Sequence, residues 1–158
     1  PSGQKVTRAY GAASATGLTV AKLRQAKKIL LSNEVDLDSD VITCAVTAQQ
    51  HDDLLAEAQV ISMDYNDKPV LVEGKIQRFL GINFIHSERS ALSTDGNSDV
   101  LVPVWAKSGM YLGIWNDITT DISQRKDLQG LPWQAYLYMT AGATRLEEKK
   151  VVQIAADV

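Results

Sequence analysis

Apolar residues in this chain come in short, β-rich runs, and that pattern constrains the fold more than any other feature. VITCAVT (41–47), VLVPVWA (100–106), WQAYLYMTAGATRL (133–146) and KKVVQIAADV (149–158) are each rich in strand formers. In the third run Trp133, Ala135, Leu137 and Met139 alternate with Gln134, Tyr136, Tyr138 and Thr140, a period of two. Helical spacing occurs in only two stretches. A chain of 158 residues built this way is an α+β protein, one compact domain or two small lobes. No run of about 18 apolar residues occurs, so no helix is long enough to cross a membrane, and no signal peptide is visible at the start.

The first helical stretch is 19–32. Thr19 is its N-cap, Val20, Leu23, Ala26, Leu30 and Leu31 form its stripe, and Asn33 stops it. Lys22, Arg24 and Lys28 fall mostly off that stripe and read as its outer face. The second stretch, AQQHDDLLAEA (48–58), follows Thr47, with Gln50 completing a capping box. Before the first helix, residues 1–17 are small and polar, and read as a flexible leader.

Turns divide the rest of the chain. DYNDKP (64–69) and DLQGLP (127–132) carry turn chemistry, and SERSALSTDGNSD (87–99) is a long polar loop. Pro103 predicts an edge or a bulge for the strand that holds it. Gly109 and Gly113 argue against a regular helix over 108–123, where only the end, Ile118–Ser123, has strand character.

Charge is uneven. Residues 1–32 hold Lys5, Arg8, Lys22, Arg24, Lys27 and Lys28 and no acid; residues 33–158 hold the other ten cations and all 19 acids, a net −9. A basic leader on an acidic body suits a polyanion or an acidic neighbour as partner, and equally an ordinary solvated helix face.

Catalytic constellations are missing from the sequence. His51 and His86 lie 35 residues apart and Cys44 stands alone, so no metal-ligand spacing occurs. Cys44 falls inside an apolar strand, where a thiol stays protonated. There is no nucleophile elbow, no phosphate-binding glycine loop and no converging carboxylate pair. Asp36, Asp38 and Asp40 alternate as in a calcium loop, but the required glycine and bidentate glutamate are missing. The expectation is a protein that is not an enzyme, with no cofactor, metal or small-molecule substrate. Trp105, Tyr111, Trp115 and Trp133 are instead candidate interface anchors, since large aromatics favour contact surfaces and their neighbours here include as many acids as bases.

Three phrases, YNDKPVLVEGKIQRFLGINFIHSE (65–88), PVWAKSGMYLGIWNDI (103–118) and QAYLYMTAGATRLEEKKVVQI (134–154), resemble in composition and order the C-terminal half of tailed-phage major capsid proteins. The resemblance covers about residues 18–158 and includes G-x-x-x-R-F-L-G-x-x-F and G-A-T-R-x-E-x-K-x-V. It implies the Hong Kong 97-like capsid fold: a spine helix, an axial domain with a central sheet and flanking helices, and long peripheral strands. The implied division is a flexible leader (1–17), spine helix and connector (18–40), axial domain (41–130) and peripheral strands (131–158), with the family's N-terminal arm and extended hairpin loop preceding residue 1. The implied function is a structural shell subunit in pentamers and hexamers of itself, enclosing double-stranded DNA in the virion after assembly in the host cytoplasm. Lys22, Arg24, Lys27 and Lys28 are then candidates for contact with non-specifically held DNA or a neighbouring subunit. The alternatives are an accessory binding module and an encapsulating shell on the same scaffold.

Overall fold

The computed structural model describes residues 4–57, 76–89 and 99–157. The predicted turn 64–69, the extended stretch 70–75 and most of the loop 87–99 lie outside them. Two units are resolved by their internal packing: Pro1–Gly109 with Glu147–Val158, and Met110–Leu146.

The first unit is built on a six-stranded mixed sheet. Its strands are β1 (Lys5–Val6), β2 (Ile42–Val46), β3 (Arg78–Phe79), β4 (Ile82–His86), β5 (Val100–Ala106) and β8 (Val151–Ala156), in the order β1-β8-β5-β2-β4-β3. β2 runs parallel to β4 and β1 parallel to β8; the other neighbours are antiparallel. A parallel pair needs a crossover, and helix α2 (Ala48–Ala56) lies in the one joining β2 to β4. The turn between β3 and β4 is a two-residue hairpin with Leu80 and Gly81 both at positive φ, 53° and 79°, the conformation that matches strand twist.

Alternation becomes burial in this unit. Val100, Val102, Val104 and Ala106 of β5 are buried, as are Ile42, Cys44 and Val46 of β2. Helix α1 (Val20–Ser32) packs on β8 and β1 with Val20, Leu23, Ala26 and Leu30 inward. Thr19 caps it, accepting from the Lys22 backbone N–H, and the Asn33 N–H closes its last turn onto Ile29 and Leu30. Leu31, expected on the stripe, is half exposed.

Three expectations need correction. Pro103 lies in an interior strand. The ladder from β2 ends at Cys44↔Val104, one residue short of Pro103, so its missing N–H interrupts no β2 pairing. Residues 4–17 are tied down rather than loose: Val6 and Leu18 are buried, Lys5 and Val6 pair with β8, and Arg8 reaches the buried carboxylate of Asp99 at 3.3 Å. The 108–123 region holds one long strand, not a short one at its end.

That strand is β6 (Met110–Gln124), and with β7 (Trp133–Arg145) it forms the second unit, a two-stranded antiparallel ribbon. β6 has 15 residues to the 13 of β7, and two register irregularities, between Ile114 and Asn116 and between Asn116 and Thr119, absorb the difference. The packing division therefore departs from the boundary expected at 130/131, which falls in the turn joining β6 to β7. β8, expected among the peripheral strands, pairs with β5, while α1, expected as the spine, shares the unit of the six-stranded sheet.

Candidate interaction surfaces

Most of the exposed large hydrophobic side chains among the described residues lie in the ribbon and its turn. Opposed residues of an antiparallel pair share a face, so the register sorts the side chains. Trp133, Ala135, Leu137, Ala141 and Ala143 of β7 share a face with Gln124, Ile122, Thr120, Ile114 and Leu112 of β6. The opposite face holds Gln134, Tyr136, Tyr138, Thr140 and Thr144 with Ser123, Asp121, Thr119, Asn116 and Tyr111. One face is apolar, and Arg145, opposite Met110, carries the only charge among its paired residues. The other is polar, with Tyr136 and Tyr138 side by side, ring centroids 5.7 Å apart.

Both faces are exposed. Trp133 is 71% accessible, Leu137 61% and Ile122 65%; Trp115, at the first irregularity and outside the paired register, is 88% accessible. A two-stranded hairpin is marginal by itself in water, and an apolar patch of this extent marks a contact surface. Three of the four predicted anchors, Tyr111, Trp115 and Trp133, are in the ribbon; Trp105 is half-buried in β5.

The four predicted cations of α1 separate. Arg24 and Lys28, one turn apart, are exposed. Lys27 is half-buried and its Nζ donates to the Leu80 carbonyl at 2.9 Å, holding the β3–β4 turn. Lys22 is fully buried, which corrects its reading as a surface contact. Its Nζ donates to the carbonyls of Thr16 (2.5 Å), Gly17 (2.8 Å) and Ala155 (3.1 Å), one acceptor for each ammonium proton. Burial lowers its pKa from 10.5, opposed by the charges of Asp157, Asp99 and Asp53. The sequence carried a signal for this: Lys22, Ala26 and Leu30 follow at intervals of four and share a helix face.

The remaining chemistry-bearing residues serve the fold. Both histidines line one cleft of about 530 Å³ with Val46, Ala48, Asp52, Leu55, Ile76 and Phe84, a juxtaposition that sequence spacing did not reveal. His51 Nε2 accepts the Ile76 N–H at 3.1 Å, which ties α2 to the segment before β3. His86 Nε2 meets Glu88 Oε1 at 2.7 Å, and the same oxygen accepts the Ala48 N–H at the start of α2 at 2.7 Å; these bonds hold the Glu88 carboxyl below its usual range. Among the described residues no three His, Cys, Asp or Glu side chains converge as a metal site. Asp36 instead folds its own loop, accepting from the Asp38 N–H and the Ser39 hydroxyl, and Asp40 accepts from Ser108. Cys44 is fully buried, and burial pushes its thiol up to about 12, far from a reactive thiolate.

Comparison with known proteins identifies a family of structural proteins. The family model described as phage capsid protein matches residues 1–158. No curated protein matches the sequence. Among solved structures, the chain is similar to the capsid of cyanophage P-SCSP1u (18% identity, TM-score 0.70, covering 98% of this chain and 53% of that one). It is similar to a chain from Mycobacterium phage Che8 (16%, 0.64, 84% and 46%). It also resembles the holo-encapsulin complex of Synechococcus elongatus PCC 7942 (8%, 0.55, 98% and 53%). The fold is thus that of the Hong Kong 97-like capsids, and this chain spans about half the length of the solved chains it matches.

Proposed function

This chain belongs to the phage capsid protein family, and from that premise we propose that it forms part of a major capsid subunit, a structural protein that assembles with copies of itself into the icosahedral head around double-stranded DNA. The observation that carries the reading is the ribbon. A paired strand set with one apolar face and one tyrosine-lined polar face, both open, is a surface made to be covered. In a shell every subunit offers the same surfaces to its neighbours, so one exposed face repeated in each copy serves a whole lattice of contacts.

In this reading the six-stranded unit is the axial body, around which subunits gather as pentamers and hexamers, and the ribbon supplies the peripheral strands. The protein resides in the virion, after assembly in the host cytoplasm. Arg24 and Lys28 are the α1 cations left for packaged DNA, in a contact indifferent to base sequence and weakened by salt. Lys22 and Lys27 drop out because their ammonium groups are engaged within the subunit.

The similarity to an encapsulin complex supports a second reading, a shell that encloses protein cargo. Negative-stain electron microscopy of the concentrated chain across a range of salt tests the first reading, with the Leu137→Asp, Ile122→Asp double variant as control. Shells, rings or clusters of five and six that the double variant abolishes are expected. Monodisperse single subunits from both proteins would overturn self-assembly for this chain. Particles that copurify with protein cargo and no nucleic acid would favour the second reading.

A further inference from the structure

The buried ammonium of Lys22 joins parts of the chain that are distant in sequence. Two of its carbonyl acceptors, Thr16 and Gly17, end the segment that precedes α1; the third, Ala155, is in the last strand of the sheet. The same junction gathers further ties. The Asp157 N–H donates to the Thr16 carbonyl at 3.0 Å, and the Leu18 N–H donates to Asp53 Oδ2 at 3.2 Å. A Cβ at Gly17 would lie 2.1 Å from the Asp53 carboxylate, so a larger residue there would displace that side chain.

N-terminal to the junction, the segment is held by much less. β1 has two residues, extended by the bond from the Gln153 N–H to the Gln4 carbonyl at 2.8 Å. Arg8 contacts Asp99 with its guanidinium partly in solvent, and Tyr10 donates to Gln25 at the surface. Between Val6 and Leu18 no side chain enters the core. A segment with so little apolar burial and so few ladder bonds belongs to the low-stability end of a fold.

We propose that residues 4–17 form a releasable strap on the β8 edge of the sheet, and that Lys22 is the clasp that holds it. Two charge-assisted bonds from Lys22 hold the strap's C-terminal end and a third ties the same ammonium to β8, so β1 is kept on β8 by tethering more than by its own pairing. Releasing the clasp frees the strap as a unit and bares the outer edge of β8. The rest of the sheet, whose ladders among β8, β5, β2 and β4 do not involve the strap, stays folded.

Native-state amide exchange on this chain tests the proposal without any variant. The amides of Gln153 and Asp157, which donate to the strap carbonyls of Gln4 and Thr16, are expected to open together and at least about tenfold more often than the amides of the β2–β5 ladder. Equal protection of strap and ladder would overturn it. Lys22→Met, which keeps the stem and removes the donors, is expected to speed tryptic cleavage after Arg8 by about tenfold or more and to deprotect Gln153, with ladder protection retained. Lys22→Arg, which keeps charge and donors, is expected to fall between the two. An unchanged cleavage rate in Lys22→Met, or a uniform loss of protection through the sheet, would show that Lys22 is no clasp.

Discussion

β5 and β7 read alike in sequence and end in opposite environments. VLVPVWA and WQAYLYMTAGATR both alternate, and both pair in register with an antiparallel partner. In β5 every second residue is buried, because β2 and β8 flank it and helices cover the sheet; in β7 every residue is exposed. Alternation therefore specifies that a strand has an inward face and says nothing of what covers it. In the six-stranded unit the cover comes from the same chain. In the ribbon both faces are exposed, and on the proposed reading the cover would come from a neighbouring subunit.

The two units should consequently respond in different ways to the same kind of change. The largest effect is expected in the sheet. Leu23 and Ile154 are fully buried, so Leu23→Ala or Ile154→Ala should each cost about 2–5 kcal/mol in urea unfolding of the chain. Leu137→Ala in the ribbon removes the same kind of side chain and should leave the midpoint nearly unmoved. An equal loss from both would mean that the ribbon is packed as tightly as the core, and the comparison would fail.

Next comes the alkaline limb of stability, a property of the buried unit alone. The Cys44 thiol, raised by burial from 9.0 to about 12, contributes stability that is complete below pH 9. The unfolded chain ionises first, so that contribution drains away at about 1.4 kcal/mol per pH unit as the pH climbs through the window. Lys22 acts in the opposite sense. Burial lowers its pKa below 10.5, the unfolded chain holds that proton longer, and stability gains as the pH rises toward 10.5. Urea midpoints between pH 8 and 11 should fall less steeply in Cys44→Ala than in the parent, and more steeply in Lys22→Met. A parent thiol that reacted with a disulfide reagent at pH 8 as fast as it does in urea would contradict the burial on which this rests.

A smaller effect is expected at the start of α2. Thr47 and Gln50 form a capping box there, with the Gln50 Oε1 accepting the Thr47 N–H at 3.0 Å. Thr47→Ala should cost about 1 kcal/mol, read by the same unfolding midpoint. The helix belongs to the compact unit, so its loss should register in that unit's transition.

Legibility in the sequence divides along the same line. Local signals worked where a few neighbouring residues decide the outcome: Thr19 and Asn33 bound α1, and Thr47 opens α2. The family was legible too, from phrases in order. Features set by partners far along the chain escaped. Pro103 is tolerated inside the sheet because β2 stops pairing one residue earlier, a register that no local rule supplies. The leader looked loose because its composition is poor in apolar residues, and it is held by Asp99, Gln153 and Asp157, distant in sequence. Lys22 looked solvated because lysine is usually outside; its interval of four to Ala26 was the countervailing signal. The glycines of 108–123 argue only against a helix, and pairing with β7 shows that Gly113 faces Gly142 within one continuous strand.

The smallest expected change in stability is the most informative about the ribbon. Trp133→Ser with Leu137→Ser removes two large apolar side chains from one face of β7, and both are already more than half accessible in the single chain. Little transfer free energy is at stake before association, so the unfolding midpoint of the dispersed chain should move by no more than about 0.5 kcal/mol. The same pair of changes should abolish particles in the electron microscope and raise the concentration at which the chain stays monodisperse, because the surface removed is the surface that copies bury. A midpoint that falls by several kcal/mol would instead locate the cover for this face within the chain. An unchanged midpoint with unchanged particles would move the contact to the tyrosine face, where Tyr136→Ser with Tyr138→Ser becomes the decisive pair.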